Sequence, residues 1–243
     1  MRYTSAGEQS DLGAVTPVGL VLVLSRLQLM SQTVGAALLG RGVEAETMSW
    51  GEGVRRATQD LTGNDVVLLL DDLEDHDSVV ATQSLIEQSS ARFLVLTNHP
   101  EGPGWGALLV SGAAALMSTQ SSLDEVHAVV ATLLAGGSPM PETRRSLLLG
   151  EWERWLVEDD ELRARMALLS PRERRVLELL SRGCLVSEIG AELGITEATI
   201  NSHIKSMRRK LGVSSQLAAV AVVHRLRGTM TGPLVPRPRE PEQ

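Results

Sequence analysis

Six polar residues in one short stretch carry the clearest chemistry in this chain. Thr199, Asn201, Ser202, Lys205, Arg208 and Arg209 recur at helical spacing, with short hydrogen-bonding groups first and long cations after them. Hydroxyls and amides exchange hydrogen bonds with base edges, whereas long cations neutralise phosphate. A helix divided in this way suits entry into the major groove of DNA by its N-terminal half. Charge patterning alone favours the solvated face of an ordinary helical bundle, so the surrounding elements must decide.

Those elements are legible. Ile200, Ile204, Met207 and Leu211 lie at i, i+4, i+7 and i+11, which makes one buried stripe opposite the polar face, and Thr196 is placed to cap the helix. A preceding helix, roughly Val186 to Leu193, buries Ile189 and Leu193 and stops at Gly194, the residue type best suited to the left-handed conformation past a helix end. Before it, Ser170, Pro171 and Glu173 spell a capping box with proline at the first helical position, followed by the apolar face Val176, Leu177 and Leu180. Two helices joined by a tight glycine turn and followed by a cationic third favour the DNA-reading arrangement. Ser187 and Thr196, at the starts of the second and third helices, complete the candidate DNA-contacting set.

The motif S-P-R-E-R-x-V-L, then E-I-G-x-x-L-G-I-T-x-x-T-I-x-S-H-I-x-x-x-x-x-K-L-G-V, resembles the LuxR/NarL-type helix-turn-helix of bacterial transcription regulators over about sixty residues. The resemblance implies groove contacts at Asn201, Ser202 and Lys205. The family usually has a basic residue where this chain has Asn201, and Ser-Asn-Lys where it has Leu185, Val186 and Ser187. One cap and one phosphate-seeking lysine are thereby lost.

A last helix is expected over about Ser215 to Arg227. Leu217, Val220, Ala221, Val222, Val223 and Leu226 spread over more than one of its faces, the pattern of a helix covered on two sides. One side packs on its own domain. The other is expected to pair across a two-fold axis, as the resembling family does on DNA, with the small Ala218 and Ala219 and with Val222 as the contact. Such a dimer prefers an inverted repeat with half-sites about one helical turn apart.

Charge is segregated along the chain. Of 243 residues with a formal charge of -7, the stretch 168–228 holds ten Lys/Arg against five Asp/Glu, while 1–167 holds eleven against twenty-three. A basic module joined to an acidic partner domain is an electrostatic footprint of DNA binding. The single Cys184 excludes an internal disulfide framework and fits a reducing cytosol. No apolar run is long enough to span a membrane, so a cytoplasmic protein is expected.

From Val18 onward, short apolar runs (GLVLVLS, VEAETM, DVVLLL, ARFLVL, AAALM) alternate with amphipathic helical segments. Five such pairs predict an α/β doubly wound domain with a five-stranded parallel sheet, to be followed by the all-α helix-turn-helix domain. The order is similar to that of a response-regulator receiver. A working receiver, that resemblance implies, holds Mg²⁺ on a carboxylate pair after the first strand, accepts phosphate on an aspartate ending the third, and places Thr/Ser after the fourth and Lys after the fifth. Here these positions fall on Ser25 and Arg26, Leu70, Thr97 and Thr119, and the usual switch aromatic falls on Leu116. Only Thr97 matches. Asp71 comes one residue late, and a one-residue slip turns a strand side chain to the other face. The expected result is a pseudo-receiver with no phosphorylation site, metal or cofactor. Asp71, Asp72, Glu74, Asp75 and Asp77 read as an acidic, solvated loop, and His76 and His99 as surface residues.

The organisation expected is a disordered leader 1–17, a receiver-like domain 18–136, a helical linker 137–167, the helix-turn-helix domain 168–228 and a disordered, Pro-rich tail 229–243. The linker reads as two helices, Glu142 to Leu149 and Glu151 to Leu169. Trp152 and Trp155 in the second serve either packing on its own domains or a dimer contact. The function expected is a phosphorylation-independent, DNA-binding transcription regulator acting as a homodimer on double-stranded DNA. Alternatives are a receiver-like half that binds a small-molecule effector at its strand ends, or an interaction partner that heterodimerises with another regulator. No catalytic constellation is present to suggest an enzyme.

Overall fold

The computed structural model describes residues 19–73 and 76–226. The leader with Val18, the acidic positions Glu74 and Asp75, and residues 227–243, which take in the end of the helix-turn-helix domain and the tail, lie outside the described residues. The first half alternates β1 (Val21–Ser25), α1 (Gln28–Leu39), β2 (Ala45–Thr47), α2 (Trp50–Gln59), β3 (Val66–Leu70), α3 (His76–Gln88), β4 (Arg92–Thr97), α4 (Pro103–Val110), β5 (Ala115–Ser118) and α5 (Leu123–Leu134). All strand pairs are parallel, in the order β2-β1-β3-β4-β5. Because helices cover both faces, β1 and β3 are buried at every position instead of alternating. Val67, Leu69, Phe93 and Val95 share one core with residues of α2, α3 and α4. Val66, Leu68, Leu70, Leu94 and Leu96 share the other with α1 and α5. The expected doubly wound sheet is present, with β2 shortened to three residues at the edge.

The linker departs from expectation. Glu142–Ala167 is one uninterrupted 26-residue helix, α6, and not two. Gly150 inside it costs roughly 0.5–1 kcal/mol relative to alanine. Burial of Leu148, Trp152 and Trp155 on either side outweighs that. Where α6 crosses α4, a Cβ on Gly106 would stand 2.4 Å from the Leu148 carbonyl oxygen and 2.7 Å from the Trp152 Cβ, so the close approach requires glycine there. Covered by the sheet beneath and α6 above, α4 buries Trp105 through Leu109 in succession.

Four helices complete the described fold: α7 (Pro171–Ser181), α8 (Val186–Leu193), α9 (Glu197–Leu211) and α10 (Gln216–Leu226). Val176, Leu177, Leu180, Ile189, Ile200, Ile204, Met207, Leu211, Ala219 and Val223 form their common core. The capping box is made: Glu173 N–H donates to Ser170 Oγ at 3.2 Å and Ser170 N–H donates to Glu173 Oε2 at 2.7 Å. Gly194 ends α8 in the left-handed region, at φ 64°. Thr196 caps α9, accepting the Thr199 N–H at 3.3 Å.

Candidate nucleic-acid interface

The buried stripe of α9 fixes which side of that helix meets solvent. With Ile200, Ile204, Met207 and Leu211 locked in the core, Thr199, Asn201, Ser202, Lys205 and Arg209 all stand exposed, as do Thr196 at the cap and Ser187 on α8. A shallow groove runs along α9 to the start of α10, lined by Asn201, Lys205, Arg208, Arg209, Val213 and Gln216. Basic residues in the last turn of α9 also oppose its C-terminal dipole. Arg208 behaves differently from its neighbours. Its guanidinium donates to the Ser214 carbonyl and so braces the turn into α10 instead of extending to solvent.

A second basic residue is likewise committed inward. Lys210 Nζ donates to Glu173 Oε2 at 2.6 Å, tying the end of α9 to the capping box of α7. Burial alone would push the Glu173 carboxyl up, but hydrogen bonds from Lys210, Ser206 and Ser170 outweigh it and lower the pKa from 4.5 to about 2. The capping box was legible in the sequence; its partner 37 residues on was not.

The expected dimer face needs correction. Ala219, Val222 and Val223 are buried within the chain, and Ala218 is half-buried. α10 buries one stripe, Ala219, Val222 and Val223, and that stripe is covered by helices of its own chain, which meets α10 through α7, α9 and α6. Arg225 of α10 lies 5.3 Å from the centre of the Trp155 ring and pairs with Glu158 of α6 at 3.2 Å. Trp152 and Trp155 stack at 5.3 Å and 7° over Ala107 and Leu156, so both pack on their own chain. Among the apolar residues of α10, Leu217 is 78% exposed, and Ala218, Val220, Ala221 and Leu226 are half-buried.

In the receiver-like half, the carboxyl ends of β1, β3 and β5 open into a cleft of about 340 Å³ lined by Ser25, Arg26, Leu27, Leu70, Asp71 and Thr119 among others. Ser25 is in register with Leu70. The slip placed Leu70 among the apolar residues facing α1 and α5, while Asp71 turns toward α3. Asp71 is not a solvated loop residue, as its neighbour Asp72 is; it is buried, accepts the Leu73 N–H at 3.1 Å and faces Arg26 Nε at 3.3 Å. The turn is tight enough to hold Leu73 at φ 55°. Among the described residues no group of three His, Cys, Asp or Glu side chains is gathered for a metal ion. His99 is half-buried beside Pro100, and its carbonyl accepts the Trp105 indole N–H at 3.1 Å. Only the helical backbone of His76 and Asp77 is described.

Residues 167–223 match the family described as bacterial regulatory proteins of the luxR family. Over 195 residues the chain is 30% identical to the transcriptional regulatory protein UhpA of Salmonella typhimurium, a match spanning 79% of this chain and 89% of UhpA. The chain belongs to the LuxR/NarL family of response regulators.

It is also 31% identical over 129 residues to the transcriptional regulatory protein MctR of Rhizobium johnstonii, of which it spans 56%. Among solved structures it is similar to a complex of the response regulator RcsB with DNA, at 22% identity and TM-score 0.42 over 84% of this chain and 97% of that one. LuxR/NarL response regulators are DNA-binding transcriptional regulators and not enzymes. In this member the receiver-like sheet and the helix-turn-helix are joined through α6. No helix among the described residues is long and apolar enough to cross a membrane.

Proposed function

We propose that this LuxR/NarL regulator binds double-stranded DNA as a dimer on an inverted repeat, and that its receiver-like half acts without phosphorylation. In this reading 18–136 is the receiver-like domain, 137–167 the linker and 168–228 the DNA-binding domain. The DNA reading is carried by the outer face of α9, where Asn201, Ser202, Lys205 and Arg209 stand exposed and neither Lys205 nor Arg209 has an ion-pair partner among the described residues. Ser187, Thr196 and Thr199 extend that surface toward the N-terminal ends of α8 and α9, where amides and hydroxyls suit phosphate oxygens. Arg208 supports the surface by bracing it.

Phosphorylation independence is supported by the strand-end cleft. The residues present do not fit Mg²⁺: Ser25 brings no charge, Arg26 brings a positive one, and the buried carboxylate of Asp71 already faces that arginine. Thr119 at the end of β5 carries no cation to receive a phosphoryl group. The test is to incubate the full chain with acetyl phosphate and Mg²⁺, then follow intact mass and DNA affinity. Unchanged mass and affinity are expected. A hydroxylamine-labile phosphate, or an affinity that rises with it, would sink this half of the proposal, and failure to prefer any DNA sequence would sink the other.

A further inference from the structure

A buried carboxylate requires a compensating positive charge, and at the strand-end cleft the chain supplies its own. Asp71 follows β3 directly, its N–H continuing the sheet ladder to the Leu96 carbonyl at 3.1 Å. Its carboxylate is aimed by three neighbours: the Leu73 N–H at 3.1 Å, the Thr82 hydroxyl at 3.5 Å and Arg26 Nε at 3.3 Å. Arg26 follows β1, the strand adjacent to β3, so the two side chains leave the sheet at the same rim. The guanidinium is held from a further side by Trp50, whose ring centre is 4.4 Å away. An arginine packed on an aromatic face and paired with a buried carboxylate is a positive charge held in place.

We infer that Arg26 is the resident counter-ion of this cleft and the residue that excludes divalent cations from it. This rests on the phosphorylation-independent reading above and gives that reading a single deciding side chain. The guanidinium and a divalent cation compete for the same oxygen of Asp71, and each repels the other at such range. Hard cations seek oxygen ligands, and Arg26 sets a positive charge beside Asp71 in a cleft whose other carboxylate, Asp72, is exposed. Replacing it by aspartate exchanges a positive charge for a negative one beside Asp71, with Asp72 exposed at the rim.

The experiment titrates the full chain with Mn²⁺ and follows the free ion by electron paramagnetic resonance. Wild type, Arg26→Gln, Arg26→Asp and the double variant Arg26→Asp with Asp71→Asn are compared, with circular dichroism to verify folding. Wild type is expected to show no saturable binding at millimolar Mn²⁺. Arg26→Asp should bind at least about tenfold more tightly than Arg26→Gln, Mg²⁺ should compete, and the double variant should lose the binding. If folded Arg26→Asp binds no better than wild type, or if the double variant binds as well as the single one, the inference falls. Should Arg26→Asp fail to fold, Arg26→Gln alone must still bind Mn²⁺ more tightly than wild type, and equality overturns the inference. A wild-type chain that takes up phosphate defeats the broader reading whatever Arg26→Asp does, whereas an unmodified wild type with a metal-blind Arg26→Asp defeats only this one.

Discussion

Two residues one turn apart on α9 are expected to act on DNA in different ways. Lys205 is a long, exposed cation, so Lys205→Ala should weaken binding to every sequence and reduce the salt slope by about one. Asn201 can bond a base edge in bidentate fashion, and Asn201→Ala should relax preference at one base position by about 1–3 kcal/mol. Titrations on operator and scrambled fragments across a salt series separate the two, and identical behaviour of both variants would contradict the division of labour. Glu173 makes a different prediction. Its folded pKa of about 2 lies below the ordinary 4.5, so the stability it contributes is fully present above pH 4.5 and is lost as pH falls through 4.5 toward 2. That contribution is on the order of 3 kcal/mol. Urea denaturation at pH 6 and pH 3 should therefore show wild type losing more stability than Glu173→Gln, and equal losses would remove Glu173 as the cause.

At the level of elements, α10 separates what periodicity reveals from what it leaves open. Its apolar residues announced burial on two sides, but the residues buried are the single stripe Ala219, Val222 and Val223. Nothing in an apolar pattern says whether the cover is another copy or the same chain, because Ala219 and Val222 look alike to either. The same holds for α6: its tryptophans announced an apolar partner, but only the close passage over Gly106 reveals that α4 is that partner. Local signals fared best. Ser170, Gly194 and Thr196 set helix ends through contacts within a few residues, and all three do so here. Lys210, which meets Glu173, and Arg208, which meets Ser214, were ordinary cations until folding brought their acceptors near. The correction to α10 changes the variants worth making. Leu217→Glu, at an exposed site, should lower cooperative binding to a full inverted repeat by about tenfold while leaving half-site binding and folding intact. Ala219→Glu should instead destabilise the helical core by several kcal/mol, since it buries a charge. Gel shifts on full and half sites, alongside thermal melts, distinguish these outcomes, and a folded, cooperative Leu217→Glu would rule that side of α10 out as the dimer contact.

The whole molecule is held together by α6, which rests on α4 at one end and on α9 and α10 at the other. Stacked at 5.3 Å and only 7° from parallel, the indoles of Trp152 and Trp155 have coupled electronic transitions, and the Arg225 guanidinium sits over one of them from the opposite half of the protein. The chain therefore carries its own optical gauge of how its halves are joined. Any event that swings the helix-turn-helix away from α6 strips a cation from the Trp155 ring and alters the near-ultraviolet circular dichroism and emission of the pair, with no label attached. Arg225→Ala should reproduce the separated spectrum in a folded protein, and adding operator DNA to wild type would then reveal, from the indole signal alone, whether the regulator reads DNA joined or opened.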